Sequence, residues 1–275
     1  MEIRLGSDLS LRYKFFSRSS LEHPAKLHLG LVRWIVEKYT RPGDVICDPM
    51  AGIGSTAYAA LLQRDVILRE IEPKWLAISH ENAALLIQSG GMFSGNINIS
   101  QHDAREPWGI TCDLIITSPP YSCRAASNEK TRVGTLPHRL RAMEEGKIKD
   151  RWVKFLENPT QGSAGAIRFF YGSHPCQIGH LRNAEYWDAM QQIYGNAYRA
   201  LRAGGLMILV IKDHIRNGKR VTVSDDTIAL CNRLGFSLED RHVRVLSTLS
   251  LWQRRRKEQG QPVIEEEDVI VLKRT

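Results

Sequence analysis

The stretch DPMAGIGSTA, residues 48–57, decides the fold expected for this chain. It joins a short apolar segment, VICD, to a segment of helix-forming composition, TAYAALLQ. Gly52, Gly54 and Ala57 satisfy the spacing G-x-G-x-x-[GA] of a strand–turn–helix unit. Glycine lets a backbone approach a ligand closely, and the helix that follows offers unpaired N–H groups. The stretch therefore predicts the first strand and helix of an α/β domain, with a ligand at the turn.

Outward from this turn, strand-like and helix-like patterns alternate. Helices are predicted from Ser55, over 74–88, over 185–202 with a stop at 203–205, and over 224–234. For the last of these, Ser224 is the predicted N-cap and Gly235 the predicted stop. The alternation predicts a mostly parallel seven-stranded sheet with helices on both faces. The predicted strands are 45–48, 66–71, 97–100, 113–117, 206–211, 236–245 and 268–272.

Composition narrows the class of protein. The net charge of +8 favours a polyanionic partner but does not choose between DNA and RNA. No apolar run reaches membrane-spanning length and the N-terminus lacks a secretion pattern, so we expect a cytoplasmic protein with no membrane partner. The five cysteines are scattered and never in CxxC spacing, which argues against a disulfide framework or a structural zinc and predicts no metal site.

Acidic residues beside the turn indicate which ligand it takes. Glu70 and Glu72 lie about 20 residues beyond the turn, where a carboxylate accepts hydrogen bonds from a ribose. Only one acid is needed, and we favour Glu70. Asp48 and Pro49 separate the strand from the glycines, and a negative charge there repels a pyrophosphate. A cationic ligand such as S-adenosylmethionine is therefore favoured over a nicotinamide dinucleotide.

A second unusual stretch, ITSPPYS at residues 116–122, ends the fourth predicted strand. Its two prolines fix φ and cannot donate backbone hydrogen bonds. One interpretation is an extended turn with Tyr121 filling a crevice. The other is a rigid pocket for a nucleobase extruded from its stack, beside a methyl donor.

Together these stretches resemble the exocyclic-amino DNA methyltransferase family. HPAKLHLGLVRWIVEKYTRPGDVICDPMAGIGST is similar to the cofactor block of that family, and REIEPKWLAISHENA to its ribose-binding segment. LRAGGLMILVIKD resembles its fifth-strand region, and TSPPY its catalytic turn. The resemblance covers most of residues 23–121 and 185–245. It implies a Rossmann-like class I methyltransferase fold with S-adenosylmethionine as cofactor.

The resemblance also implies roles for particular residues. In the catalytic turn, an oxygen of Ser118 and the carbonyl of Pro119 accept the hydrogens of the target amino group, Pro120 stiffens the turn, and Tyr121 stacks on the base. A turn position is the alternative for Asp103, and a place before the helix is the alternative for His23 and Lys26. The implied cofactor-binding residues are His23, Lys26, Asp48, Pro49, Ala51, Gly52, Gly54, Glu70 and Asp103.

Between the two blocks the regular pattern is lost. We therefore predict a catalytic domain of residues 1–121 and 171–275, with an inserted target-recognition region at 122–170. This region interleaves Lys and Arg with Trp152 and Phe155, which suits phosphate contact and base stacking. A second basic run, 254–257, lies near Trp252. For both runs a solvated helix face is the alternative.

The resemblance implies a site-specific methyltransferase acting on double-stranded DNA by base flipping at a short recognition sequence. Cytosine N4 is favoured because the Ser of SPPY is more frequent in the cytosine-N4 enzymes of the family. Adenine N6, an RNA base and a protein amide remain alternatives, as does a catalytically silent DNA-binding module. A cognate restriction endonuclease, as in restriction–modification systems, is a possible partner, and both a monomer and a homodimer stay open.

Overall fold

The computed structural model describes residues 1–23, 25–90, 94–120, 174–181, 183–216, 218–247, 249 and 251–275. Tyr121 and the predicted recognition region 122–170 lie outside these ranges.

The centre of the fold is an eight-stranded sheet in which every strand but one is parallel. The expected number was seven. The additional strand is β1, an edge strand of three residues whose pattern is too short to be predicted. The strands are β1 (Glu2–Arg4), β2 (Val45–Asp48), β3 (Asp65–Glu70), β4 (Ile97–Gln101), β5 (Cys112–Thr117), β6 (Leu201–Ile211), β9 (Phe236–Val245) and β10 (Glu266–Arg274). Their order is β1-β9-β10-β6-β5-β2-β3-β4, and β10 is the antiparallel strand.

A hairpin of β7 (His214–Arg216) and β8 (Lys219–Val221) follows β6. The described α-helices are α1 (Leu9–Phe15), α2 (Leu29–Tyr39), α3 (Pro73–Gly90), α4 (Asn183–Ala200), α5 (Val223–Arg233) and α6 (Leu251–Glu258). Short 3₁₀ helices cover Arg18–Glu22, Ser55–Leu62 and Ile178–His180. No helix in the described ranges has the length and apolar character needed to cross a membrane.

Three predicted helix limits need correction. The helix after the glycine turn does begin at Ser55, but it is a 3₁₀ helix. Helix α4 ends at Ala200, before the predicted 202, because Leu201 already pairs with Cys112 in the sheet. Ser224 is not the N-cap of α5, whose cap residue is Thr222. The backbone N–H and hydroxyl of Ser224 instead donate to the buried carboxylate of Asp213.

The sheet is buried on both faces. On one face Ile46, Leu114 and Ile116 pack in a core with α2 and the 3₁₀ helix Ser55–Leu62. On the other, Cys47 and Ile115 pack in a core with α4 and α5. Burial on both faces explains why the central strands appear in the sequence as continuous apolar runs.

The chain order of the strands places the functional edge of the sheet. From β2 the chain proceeds to β3 and β4 on one side, and later to β5 and β6 on the other. In such sheets ligands bind beyond the carboxyl ends of the strands, where the strand order reverses. The glycine turn after β2 and the proline turn after β5 both lie at this position.

Candidate active site

A cavity of about 310 Å³ opens at the carboxyl ends of β2, β3, β5 and β6. Pocket volumes of roughly 300–1,000 Å³ are usual for small-molecule sites. Pro119 and Gly54 are not among its lining residues, and Tyr121 lies outside the described residues. The predicted residues that do line it are His23, Lys26, Asp48, Pro49, Ala51, Gly52, Glu70, Asp103, Ser118 and Pro120.

The glycine turn is fixed to the neighbouring strand by backbone contacts. The N–H of Ala51 donates to the carbonyl of Arg69 at 2.9 Å, and that of Gly52 to the Glu70 carboxylate at 2.7 Å. Both glycines have positive φ, +55° at Gly52 and +75° at Gly54. Gly54 packs beneath the turn, where a Cβ would lie 2.4 Å from the hydroxyl of Ser79 on α3. Gly52 thus forms the cavity wall and Gly54 supports it.

Glu70 holds the floor of the cavity. Its carboxylate accepts hydrogen bonds from the backbone N–H groups of Gly52, Ile71 and Glu72. Burial raises the pKa of Glu70 to about 7, outweighing these hydrogen bonds, and the nearby Asp48 raises it further. Glu72 does not line the cavity. Of the two acids, Glu70 is therefore the one that lines the cavity.

Asp48 is a second buried carboxylate in the cavity. The hydroxyl of Thr56 donates to it at 2.6 Å and the N–H of Met50 at 3.2 Å. Burial raises the pKa of Asp48 to about 6, although these hydrogen bonds favour the charged form. Two desolvated carboxyl groups in one cavity are stabilised by a cationic ligand and destabilised by an anionic one.

An aromatic pair closes another side. The ring of His23 stands across that of Trp75, with centroids 4.6 Å apart and an interplanar angle of 73°. Burial lowers the pKa of His23 to about 4, so the imidazole is neutral at physiological pH. The Lys26 ammonium donates to the carbonyls of Leu21 and His23, which fastens the segment before α2 to the cavity rim.

The residues that follow β4 form another wall of the cavity. Asp103 is engaged in ion pairing through both carboxylate oxygens with the guanidinium of Arg105. Burial alone would raise the pKa of Asp103, but the hydrogen bonds and charge of Arg105 hold it below its ordinary value. Beside it, Nε2 of His102 is buried and has no hydrogen-bond partner within the described part of the chain. A buried polar atom of this kind is stabilised when a ligand supplies the missing partner.

The proline turn meets the same cavity from β5. Ser118 and Pro120 line it, as does Lys212 at the end of the neighbouring strand β6. The hydroxyl of Tyr186 on α4 donates to the carbonyl of Pro120 at 3.2 Å. The turn is thereby held from the helix layer on one face of the sheet.

Several lining residues were not predicted from the sequence. Trp75 stands in the first turn of α3, inside the stretch REIEPKW that drew attention only for its acids. His102, Gln177 and Lys212 come from three separate parts of the chain. Of these, Lys212 directly follows a predicted strand and His102 lies two positions beyond one, places that could have marked them; Gln177 follows no predicted element.

The fold and the cavity define a Rossmann-like class I methyltransferase domain. A solved methyltransferase from Pyrococcus furiosus superposes on this chain with a TM-score of 0.50 and 10% identity. The match covers 98% of this chain and 94% of the Pyrococcus protein. TrmN from Thermus thermophilus has a TM-score of 0.48 and 17% identity, covering 94% of this chain and 51% of TrmN. The predicted fold class is confirmed.

The sequence comparisons are more specific. Residues 11–81 match the family model described as DNA methylase, N6_N4_Mtase. The Type II methyltransferase M.BglI of Bacillus subtilis is 31% identical over 90 residues, which is 32% of this chain and 26% of M.BglI. The chain thus spans about a quarter of that curated relative and about half of TrmN. The resemblance to the exocyclic-amino DNA methyltransferase family is confirmed over this cofactor-side segment.

This family match supports S-adenosylmethionine as the cofactor, and the residues present fit it. The cavity presents two buried carboxyl groups to a cationic ligand. The lack of a side chain at Gly52 gives a ligand access to the backbone, and His102 offers an unpartnered polar atom.

Proposed function

We propose that the chain is an S-adenosylmethionine-dependent DNA methyltransferase that modifies an exocyclic amino group of an extruded base, with cytosine N4 favoured. One observation carries the proposal: Ser118 and Pro120 of the proline turn line the same cavity as the acids Asp48 and Glu70, which end β2 and β3. A target base held at the proline turn is therefore next to a cofactor held by the acids at the ends of β2 and β3.

The proposed role of the proline turn is to make the exocyclic amino nitrogen more nucleophilic. The lone pair of an exocyclic amino nitrogen is delocalised into the base ring, so this nitrogen is a poor nucleophile. The Ser118 hydroxyl oxygen and the Pro119 carbonyl accept the two amino hydrogens, which turns the nitrogen towards tetrahedral geometry and localises its lone pair. When bound, S-adenosylmethionine supplies an electrophilic methyl group. With the cofactor bound, the nitrogen would take the methyl group as the bond from that methyl to sulfur breaks, and the extra proton on the nitrogen would pass to solvent.

Rigid positioning is what the protein adds to this displacement. Pro119 and Pro120 restrict the turn, and the contact from Tyr186 fixes the Pro120 carbonyl. Tyr121 follows directly, and its proposed role is to stack on the extruded base. A duplex must release that base before its amino group can enter a cavity of this kind.

The cofactor roles follow from the charges in the cavity. The Glu70 carboxylate accepts hydrogen bonds from three backbone N–H groups, which occupy three of its roughly four acceptor sites. The remaining site is assigned to a ribose hydroxyl. Asp48 is assigned to the cationic methionine end, with His23 and Lys26 beside it. Asp103 is assigned to the adenine, and its pairing with Arg105 keeps it ionised.

Several finer predictions belong to the same proposal. Double-stranded DNA is the substrate, with target recognition in residues 122–170 and a short recognition sequence. The Ser of SPPY favours cytosine N4 over adenine N6. A cognate restriction endonuclease, the oligomeric state and a cytoplasmic location remain predictions of the same kind.

The test is to identify the product. Purified protein is incubated with labelled S-adenosylmethionine and either unmodified genomic DNA or bulk RNA, and the digested nucleosides are analysed by mass spectrometry. We expect N4-methylcytosine from DNA, and far less of it from a Ser118→Ala control in the same reaction time. N6-methyladenine would correct the base and keep the pocket. Label in RNA alone, or in neither nucleic acid from protein that binds the cofactor, would contradict the proposal.

A further inference from the structure

Helix α6 lies at the same edge of the sheet as the cavity. Val245 at the end of β9 pairs with Glu266 at the start of β10, and Asp268 of β10 pairs with Ile211 at the end of β6. The connection 246–265, which contains α6, therefore emerges beside the carboxyl ends of the parallel strands.

Two contacts attach α6 to the cavity rim. The side-chain amide of Gln253 donates to the carbonyl of Ile264 at 3.2 Å, and the Lys257 ammonium pairs with Glu265 at 2.6 Å. Glu267, two residues further along β10, lines the cavity. Two residues of extended chain span about 7 Å, so the helix is close to the cavity opening.

The charge on α6 is concentrated and partly uncompensated. Its sequence LWQRRRKE carries four basic residues and one acidic residue. Arg254 and Arg255 are exposed, and no acidic partner is found for them in the described part of the chain. Basic residues nearby are neutralised, as Lys257 is by Glu265 and Arg220 by Asp213 and Glu266. Adjacent cations without counter-ions raise the local positive potential and attract polyanions.

We propose that Arg254 and Arg255 bind phosphates of the DNA backbone that flank the extruded base. The inference rests on the proposed function and adds to it a contact surface separate from residues 122–170. When a base occupies the cavity, the phosphates on either side of it lie at the cavity rim. Guanidinium groups pair with phosphate through two parallel hydrogen bonds. Such contacts position the duplex without reading its sequence.

The hairpin at the end of β6 extends this surface. Lys219 is exposed in the β7–β8 hairpin, which leaves the sheet at the same edge. Arg220 of the same hairpin pairs with Glu266 at the start of β10, so the hairpin lies beside the connection that carries α6.

The test compares two double variants of the full chain with equal loss of charge. Arg254→Gln/Arg255→Gln removes the proposed contacts. The control Arg41→Gln/Arg233→Gln removes two exposed arginines at the opposite edge, one before β2 and one at the end of α5. Affinity for a short duplex is measured from about 50 to 200 mM salt, where each lost phosphate contact lowers the slope of log affinity against log salt by about 0.9.

For the α6 variant, we expect the magnitude of the slope of log affinity against log salt to be smaller by about 1–2. Its DNA affinity at the lower salt should be roughly tenfold weaker than that of the wild type. Its affinity for S-adenosylmethionine and its melting temperature should stay at wild-type values, and the control should keep the wild-type slope. Equal slopes for the two variants, or a loss seen with RNA but not with duplex DNA, would overturn the inference. Absence of methylated nucleoside from the wild-type protein would instead be a failure of the proposed function.

Discussion

The imidazole of His23 packs directly against Gly52, so closely that a Cβ on the glycine would lie 2.9 Å from Nε2 of the histidine. The two residues come from different elements: His23 precedes α2, and Gly52 is in the turn after β2. Their contact explains why one family match runs from α1 through the glycine turn to α3. The segment before α2 therefore forms part of the cavity wall as well as the approach to a helix.

We predict that Gly52→Ala lowers cofactor affinity about tenfold or more. The new methyl group would push the His23 ring away from Trp75 and strain a backbone held at φ +55°. Titration calorimetry with S-adenosylmethionine measures the affinity. The matched control is Gly109→Ala, where φ is +61° and no atom lies within 4 Å of the new Cβ. Gly109→Ala should lower the free energy of unfolding by a similar backbone strain, about 1–2 kcal/mol, and leave the affinity for S-adenosylmethionine unchanged. Wild-type affinity in Gly52→Ala would contradict the assigned wall.

A different outcome is expected at Gly54. A Cβ there would meet the Ser79 hydroxyl at 2.4 Å and Leu68 Cδ1 at 3.1 Å, both in the protein interior. Gly54→Ala should therefore destabilise the fold by more than the roughly 1–2 kcal/mol of left-handed strain alone.

Ser79 allows the clash to be separated from the strain. Its hydroxyl is buried and has no hydrogen-bond partner among the described residues, so Ser79→Ala should be neutral or mildly stabilising. Adding it to Gly54→Ala should recover part of the loss, with a coupling of about 0.5–3 kcal/mol in urea unfolding. Strict additivity of the two changes would show that the clash relaxes elsewhere.

The paired carboxyl groups predict a pH dependence of stability. Asp48 and Glu70 have pKa values of about 6 and about 7 in the fold, above their ordinary values of 3.8 and 4.5. Groups with raised pKa values stabilise the fold fully below their ordinary pKa values, and that stability is lost as pH rises from about 4 through about 6 for Asp48 and about 7 for Glu70. The loss is about 3 kcal/mol for each group.

A bound cation should reverse this loss, because it stabilises both carboxylates. S-Adenosylmethionine should therefore raise the melting temperature more at about pH 8 than at about pH 5, which differential scanning fluorimetry can measure. In Asp48→Asn and Glu70→Gln the pH dependence of the unliganded protein should flatten. An equal cofactor effect at both pH values would argue against a cation beside these acids.

The central strands could be predicted because burial on both faces requires consecutive apolar residues, which are visible in the sequence. Ile46 and Cys47 are both fully buried, one in each core, and so residues 45–47 are apolar without interruption. The glycine turn and Glu70 could be predicted for a related reason: close backbone approach and a turn-facing acid restrict which residues fit. These signals are contained in a few consecutive positions.

What could not be predicted depends on contacts across the fold. Ser224 has the composition of an N-cap, but Asp213, 11 positions away, binds its N–H and hydroxyl instead. Strand β1 has only Ile3 directed into the core, too little to make a pattern. Gln177 reaches the cavity because Glu72 holds its segment there, a pairing over 105 positions.

That pairing gives a further prediction. Glu72 is 4% exposed, and its Oε1 accepts from the His174 backbone N–H at 3.0 Å and from the Gln177 amide at 3.3 Å. Glu72→Ala should release the segment that carries Cys176, Gln177 and Ile178, which all line the cavity. We expect a several-fold higher KM for the cofactor, with the unpaired donors costing about 1–3 kcal/mol of stability.

The conservative variant separates positioning from general destabilisation. Glu72→Gln keeps an acceptor oxygen and should restore most of the cofactor KM. Hydrogen exchange in residues 174–181 should increase in Glu72→Ala and not in Glu72→Gln. If both variants bind the cofactor as wild type does, Glu72 has no positioning role.

The catalytic assignment makes the most demanding prediction. Ser118→Ala removes one of the two proposed acceptors for the target amino group, and the loss of one such contact typically lowers kcat by about 10²–10³. The cofactor affinity should be unchanged, since the acids proposed to bind it, Asp48 and Glu70, end β2 and β3 and not β5. Tyr186→Phe, which removes the hydrogen bond to the Pro120 carbonyl, should lower kcat by a smaller factor and preserve the ring packing. Single-turnover methylation of DNA, with cofactor affinity measured on the same protein, distinguishes these cases. A Ser118→Ala protein with the wild-type rate would remove the hydroxyl from the mechanism, whereas a parallel loss of rate and cofactor affinity would assign it to the cofactor site.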